Sequence, residues 1–340
     1  MDTEAIDHDE LVARLTGGLA PSLDELPRFT GSDRLRPDGR PRPEFRAELR
    51  RIPNLRNAIT VASAVAQPFL IVWAAVALDR WWFYPLAFVA MGAWFAKAFT
   101  LFHEAAHRLL FSSRTANDLV GQWIFGWLPF GDGTDTYRLV HTAHHRDEFG
   151  PKEPDFALYA RYPIPRDSMR RKLTRDALGV SGYKNIRPAI VGLRRQGYRW
   201  RATKVWLGQA VVFGLFLGFG VPWLYVALWL APWLTYWRVV NRLRSLAEHG
   251  GMTRSPDRRL TTHHIRPSII PRVLFTPYNV GYHLAHHVDS GIPMWNVPKL
   301  HRALEEDGYW PTDRTHPNYR SFWRTLVQAA PQSVPAGLSL

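Results

Sequence analysis

"WWFYPLAFVAMGAWFAKAFTLFHEAAH", residues 81–107, is an apolar run carrying one charge, Lys97, until it ends in two histidines that flank a glutamate. Trp81 to Phe102 reaches the roughly 20 residues that a helix needs to cross a bilayer core. The last five residues, "HEAAH", have two incompatible readings. As H-E-x-x-H they hold zinc through His103 and His107, with Glu104 as the general base of a metalloprotease. As H-x-x-x-H they are the first of several histidine clusters able to hold two irons at the edge of a membrane.

Working outward, Asn57 to Leu78 contains no charged residue and is again long enough to span. A third uncharged stretch, Val205 to Trp237, is too long for one crossing and is interrupted near Gly220, Val221 and Pro222, so it reads as two spans joined by a tight turn. The expected crossings are about 57–78, 81–102, 202–220 and 222–240. A hydrophobic content of 46% over 340 residues would not by itself separate a membrane enzyme from a soluble one. The mildly negative mean hydropathy reflects charged tails and a charged central loop that dilute the spans. The first 50 residues are charged, contain proline and have no apolar core, so no cleavable signal peptide is visible.

The chain has no cysteine, which excludes disulfides, thiolate zinc sites, iron–sulfur clusters and thiolate-ligated haem. Redox chemistry here must use nitrogen and oxygen ligands. A net charge of +14 raises the question of nucleic acid, but the basic residues lie beside the spans. Between Arg161 and Lys204 there are 13 Lys or Arg against Asp167 and Asp176, which sets that loop on the cytoplasmic side, next to anionic headgroups. Arg46, Arg50, Arg51 and Arg56 set the amino terminus there too, and the Asp79–Arg80 turn leaves nothing substantial outside. The second span then returns His103 to the cytoplasmic face, and the second hairpin delivers Arg238, Arg242, Arg244 and the remainder of the chain to the same side.

These patterns predict an all-α membrane protein: four transmembrane helices in two hairpins under a cytoplasmic helical cap that holds the histidines, in a bacterial inner membrane. Residues 1–50 form a cytoplasmic N-terminal tail, 51–310 the membrane domain and 311–340 a C-terminal tail. "LVGQWIFGWLPF" (119–130) is too short to span and is expected in the interface, where Gly126 and Pro129 argue against one long helix. Residues 1 to about 40 and the chain from Pro331 onward read as poorly ordered, and neither tail offers a site.

Nine of the 14 histidines fall in four places: His103 and His107; His141, His144 and His145 in "HTAHH"; His249 in "AEHGG"; and His283, His286 and His287 in "HLAHH". Positions i, i+3 and i+4 share a helix face, so each H-x-x-H-H is expected to aim three imidazoles at one point. A helix continuing past Val240 would carry His249 just above the membrane. His8, His263, His264, His301 and His316 read as nonligands, the pair in "DRRLTTHHIRP" as part of a solvated loop. A catalytic zinc takes three protein ligands, so eight or nine convergent histidines point to a metal pair. Imidazole suits iron, copper or zinc, but two irons can activate dioxygen where zinc cannot. Glu104, Asp147, Asp155 and Glu248 are candidate acceptors that would orient ring N–H groups, each equally readable as a surface charge.

With its boxes "HEAAH", "HTAHH" and "HLAHH", and the contexts "NVGYHLAHH" and "IPMWNVPKLHRAL", the chain resembles the integral-membrane fatty acid desaturase family from about Asn57 to Leu304. The resemblance implies a non-haem di-iron centre bound almost wholly by histidines, an acyl chain in a buried tunnel, dioxygen, and two electrons from a separate donor. It also implies a further histidine ligand before the third box, where His249 sits. Asn279, one helical turn before His283, is placed to reach an iron through water, with a helix-capping or loop role as the equal alternative. The third box is followed by Val288, Asp289, Ser290 and Gly291, where relatives commonly place an apolar residue and proline sooner. The His-Pro-Gly-Gly pattern of a fused cytochrome b5 does not occur, so ferredoxin and a reductase are the expected donors. The implied reaction is desaturation of a fatty acyl chain. The alternatives are hydroxylation, ketolation or decarboxylative alkene formation on a lipid or carotenoid, an intramembrane zinc protease, and a metal carrier without catalysis.

Overall fold

The structure, a computed structural model, describes residues 7–328. In chain order, α1 (His8–Leu15) and α2 (Pro43–Leu49) precede the two longest helices, α3 (Asn54–Leu78) and α4 (Phe83–Ala106). These two form where the sequence carries at most one charge over the full length of a bilayer, and the chain reverses at Asp79, which takes the left-handed conformation at φ 42°. Lys97, the single charge in the second apolar run, is partnered inside the hairpin by Gln67 at 2.6 Å, and Trp94 donates to the Ala64 carbonyl at 2.7 Å. Among the described residues, α3, merged with the preceding α2, and α4 are the two helices long and apolar enough to cross a membrane.

Helix α5 (Arg114–Leu119) runs straight on through π-helical turns at Val120–Trp127 into Leu128–Phe130. Gly126 and Pro129 therefore do not break this stretch as expected. The widened turns absorb the mismatch, and Gly121 lies against Ala105 of α4 so closely that a Cβ would sit 2.3 Å from the Ala105 methyl. Next come α6 (Thr134–Arg146), α7 (Arg166–Ala177), α8 (Val180–Gly192) and α9 (Arg199–Gly218). Gly220, at φ +76°, reverses the chain, as the Gly-Val-Pro interruption foretells. The return is not one straight helix. Pro222–Leu234 mixes α and π turns and breaks at Thr235, and a carbonyl at the break, that of Trp233, accepts from Arg238 Nε at 3.2 Å.

Beyond the break, α10 (Tyr236–His249) leads to α11 (His283–Val288), α12 (Val297–Glu306) and α13 (Tyr319–Gln328). The described residues contain helices and two isolated bridges, Leu35–Pro41 and Ile265–His316, but no strand. Gly92 lets α10 approach α4, since a Cβ there would meet the Tyr236 ring at 2.3 Å.

Three apolar cores result. One joins the hairpins, with Met91, Phe95, Leu101, Phe125, Leu224 and Leu228 buried. The second lies in the cap, around Phe149, Tyr159, Leu246 and Phe322, and takes in Val12 and Leu15 of α1. The third wraps the last box: Leu35 and Leu49 pack with Leu284, Val288, Leu300 and Leu304. From Asp7 onward the amino-terminal segment is thus folded where the sequence suggested a poorly ordered tail, residues 1–6 lying outside the described residues. Its leucines are spaced too widely for a periodic signal, yet each contributes ~1.5–3 kcal/mol by burial. The chain from Pro331 onward lies outside the described residues.

Leu55, Ile59, Leu70 and Trp73 on α3, and Leu207, Val211, Leu215 and Leu217 on α9, are exposed. Large apolar side chains exposed in this number along two helices mark a contact with lipid or another apolar partner, in keeping with the membrane association expected from the sequence.

Candidate metal centre

Each histidine cluster sits at a helix end that meets the others above the hairpins. His103 and His107 end α4, His141, His144 and His145 lie in the last turns of α6, His249 closes α10, and α11 is the third box itself. The nine rings gather in two groups. His103, His107, His141, His145 and His286 bring one ring nitrogen each within 4.8 Å of one another, and His144, His249, His283 and His287 do the same.

The H-x-x-H-H boxes therefore do not aim three rings at one point. Each divides: in α6 the i, i+4 pair His141 and His145 serves the first group and His144 the second, while in α11 His283 and His287 serve the second and His286 the first. At 3.6 residues per turn, positions i+3 and i+4 stand about 100° apart around the helix, and a helix lying between two centres uses that angle.

The rings fit metal ions. Nε2–Nε2 separations are 3.0 Å for His107–His141 and His141–His145 and 3.1 Å for His145–His286 and His249–His283. Two imidazole nitrogens about 2.1 Å from one ion, at right angles to each other, lie about 3 Å apart. Both ring nitrogens of buried His103, and Nε2 of buried His287, have no hydrogen-bond partner in the protein, an arrangement that costs stability unless something binds there. Burial, reinforced by neighbouring imidazoles, holds His145, His249, His286 and His287 well below the usual histidine range, so these rings are neutral with lone pairs free to coordinate.

The opposite ring nitrogens are anchored. His144 Nδ1 meets Glu153 at 2.9 Å, His287 Nδ1 meets Glu148, and His249 Nδ1 donates to the Thr261 carbonyl at 2.8 Å. Burial opposes protonation of His144, but the carboxylates around it, Glu153 foremost with Glu148 and Asp155, together outweigh burial and raise this one group. Such partners fix ring orientation and strengthen the ligand. Glu148 and Glu153 were not singled out in the sequence; their signal is position, both lying within eight residues of His145.

The acidic candidates that were singled out fare unevenly. Glu248 approaches His283 Nδ1 at 3.6 Å while paired with Arg244 at 2.6 Å. Asp155 lies in a cluster with His144 and Glu153. Asp147 turns away to Arg254 at 2.9 Å, because α6 ends at Arg146 and its first following side chain points outward. Glu104 is buried and accepts from the Met294 N–H at 3.0 Å, with its other oxygen 3.9 Å from His103 Nδ1. Asn279 is left-handed at φ 66° and donates to the Met294 carbonyl at 3.1 Å, which is the loop role.

The remaining histidines lie apart from both groups. His8 bonds the Phe149 carbonyl. His263 and His264 are buried, contrary to the solvated loop expected: His263 bonds the Gly250 carbonyl at 2.7 Å and His264 meets Glu305 at 3.1 Å. His316 packs on His263 and Phe322. His264 and His301 stack in parallel, 4.3 Å apart and 9° between planes, and with Glu305 form a separate small cluster away from the nine rings. The polar pattern of "TTHHIRP" conceals this burial because its partners, Gly250, Glu305 and Phe322, come from distant segments.

A cavity of about 380 Å³ opens onto His141, His144, His249 and His283 and continues between Phe99, Phe102, Phe130, Tyr137 and Trp237. Tyr137 stacks on His141 at 5.2 Å and on Phe102 at 4.8 Å, making an aromatic wall between the rings and the hairpins. Glu104 is not among the residues lining this cavity.

The sequence profile of the family described as fatty acid desaturase matches residues 79–320. A dihydrorhizobitoxine desaturase of Bradyrhizobium elkanii is 24% identical over 308 residues, covering 83% of this chain and 83% of that protein. An sn-1 oleoyl-lipid 12-desaturase of Anabaena variabilis is 27% identical, covering 80% of this chain and 82% of its own length. A chloroplastic omega-6 fatty acid desaturase of Arabidopsis thaliana is 24% identical over 68% of this chain, which spans 55% of that relative.

Proposed function

From the premise that this chain belongs to the fatty acid desaturase family, we propose that it is a membrane oxidoreductase that introduces a double bond into a fatty acyl chain, using dioxygen and two electrons. The observation that carries the reading is the pairing of two histidine groups with a cavity that reaches them, walled by aromatic side chains on one side and by Asp155, Arg244 and Glu248 on another. The zinc protease reading is set aside: a catalytic zinc uses three protein ligands, against nine gathered rings, and Glu104 is occupied by a backbone N–H away from the cavity.

The nine histidines are the proposed ligands of two irons, five to one and four to the other. When bound, an iron pair would activate dioxygen, and dioxygen supplies the oxidising power that removes hydrogen from an unactivated C–H bond. The protein's own share is placement. Aromatic side chains from Phe99 to Trp237 hold an acyl chain against His141, His144, His249 and His283 and exclude bulk water. Glu148, Glu153 and the Thr261 carbonyl keep the rings turned inward. Two C–H bonds break and one C=C bond forms; with two electrons and two protons from outside, dioxygen leaves as two waters. Ferredoxin and a reductase are the proposed donors.

We further propose four crossings with the cap in the cytoplasm of a bacterial inner membrane. The reading is supported by the exposed apolar faces of α3 and α9 and by the basic segment Arg161–Lys204. The deciding experiment is expression in a host with a defined lipid profile, followed by mass spectrometry. Acyl products two hydrogens lighter than their precursors are expected, dependent on oxygen and on all four histidine clusters. Products gaining one oxygen would replace desaturation with hydroxylation.

A further inference from the structure

A second cavity, of about 480 Å³, lies between α3, α4, the π-helical stretch Val120–Trp127 and α9, lined almost wholly by apolar side chains: buried Phe125, Val212 and Phe216 inside, and exposed Trp73 and Phe219 where it opens to the outer faces of α3 and α9. The two cavities share one lining residue, Trp229. Its indole is buried, 5.2 Å from the Trp94 ring and 5.0 Å from Phe95. Trp229 Nε1 and the Tyr225 hydroxyl both donate to Gln209 Oε1 at 3.1 Å, and Gln209 Nε2 donates to the Leu128 carbonyl at 3.2 Å. The indole is therefore fixed at edge and face. It also sits on a π-helical stretch, Tyr225–Leu230, a backbone irregularity that recurs at functional sites.

We propose that Trp229 is the partition that sets how long a chain the enzyme accepts. The reacting methylenes lie at the histidines and the methyl end stops against the indole. The second cavity is an extension that longer chains would enter if the indole were absent. Gln209 is a positioning residue that holds the partition. This rests on the acyl-chain reading above and names the substrate feature that this site measures. A fixed wall discriminates sharply, since one methylene too many costs about tenfold or more in specificity. Removing the wall replaces that penalty with burial of added methylenes, each favouring the longer chain by about fourfold.

The test feeds even-numbered saturated fatty acids of increasing length to cells expressing the full chain and reads the unsaturated products by mass spectrometry. Trp229→Ala is expected to extend the upper length limit while shorter acids are still converted, and Gln209→Leu to extend it less. Trp229→Phe, which retains a ring, should keep the wild-type limit. Trp229→Ala combined with Val212→Trp, which refills the second cavity, should restore it. An unchanged limit in Trp229→Ala, or an extended limit persisting in the double variant, overturns the proposal. Should Trp229→Ala fail to accumulate, Trp229→Leu carries the same expectation with a smaller extension, and an unchanged limit there overturns it equally. Wild-type protein that converts no acid of any length would instead refute the acyl-chain reading, so the two failures are distinct.

Discussion

Replacing Glu153 by alanine removes the carboxylate that anchors His144 and should empty one metal position while sparing the other. Both Glu153 oxygens approach His144 Nδ1, at 2.9 and 3.0 Å, and its side chain is fully buried, so solvent screening does not weaken the contact as it would at the surface. A hydrogen bond to a charged group contributes ~1.5–3 kcal/mol. At about 1.4 kcal/mol per tenfold, that is a loss of roughly 10 to 150-fold in affinity, in line with the ~10 to 100-fold typical of outer partners of metal ligands. Glu153 bonds His144 and no other of the nine histidines, and His144 belongs to the group with His249, His283 and His287. Metal content per chain, measured in detergent against a graded chelator, should fall in two steps for Glu153→Ala. The first step should come at chelator concentrations that leave the wild type fully loaded. Asp147→Ala, which removes only a surface pair with Arg254, should behave as wild type. Simultaneous loss of all metal from Glu153→Ala, or wild-type retention, would refute the division of the nine rings into two independently anchored groups.

His249→Ala deletes one of the four nitrogens of the smaller group and should lose iron and product together, whereas wild-type iron content would show that His249 is no ligand. The His263→Ala, His264→Ala double variant loses two buried hydrogen bonds, each costing about 1–3 kcal/mol. Its thermal unfolding should shift down clearly, while iron per folded chain stays at the wild-type level, and loss of iron from the folded fraction would contradict the placement. Glu104→Gln keeps an acceptor for the Met294 N–H and should reduce turnover no more than ~100-fold; abolished turnover with full metal content would return Glu104 to the role of a base. Deleting residues 1–49 removes Leu35 and Leu49 from the core around the last box and the Arg46 partner of buried Asp289, so it should lower metal content as well as stability. A truncated chain with full iron would show this amino-terminal segment to be dispensable.

The motifs and the first hairpin were legible because both are local properties. Whether a stretch can cross a bilayer depends on length and charge along one dimension, and Trp81–Phe102 displays both directly. That the histidines of "HEAAH", "HTAHH" and "HLAHH" lie within one to two helical turns of each other follows from the helical period alone, but their division between two groups does not. The expected single return helix failed at Thr235, and the expected break at Gly126 and Pro129 did not occur, because π-helical turns let neighbouring helices decide where backbone groups are satisfied.

By itself, then, the sequence singled out the nine histidines that the folded chain gathers in two groups, and the apolar helices beneath them. Only the tertiary structure decided how those rings divide. His145 joins His286 across 141 residues of chain, and Glu148 anchors His287 across 139. It also decided that Glu153 and not Asp147 turns inward, that the amino-terminal leucines brace the last box, that His263 and His264 are buried, and that Trp229 stands between two cavities. Each of these depends on the relative rotation and distance of helices far apart in the chain. That rotation is set by the packing of whole side-chain layers, such as the Gly92–Tyr236 contact of α4 with α10, and no local period encodes it.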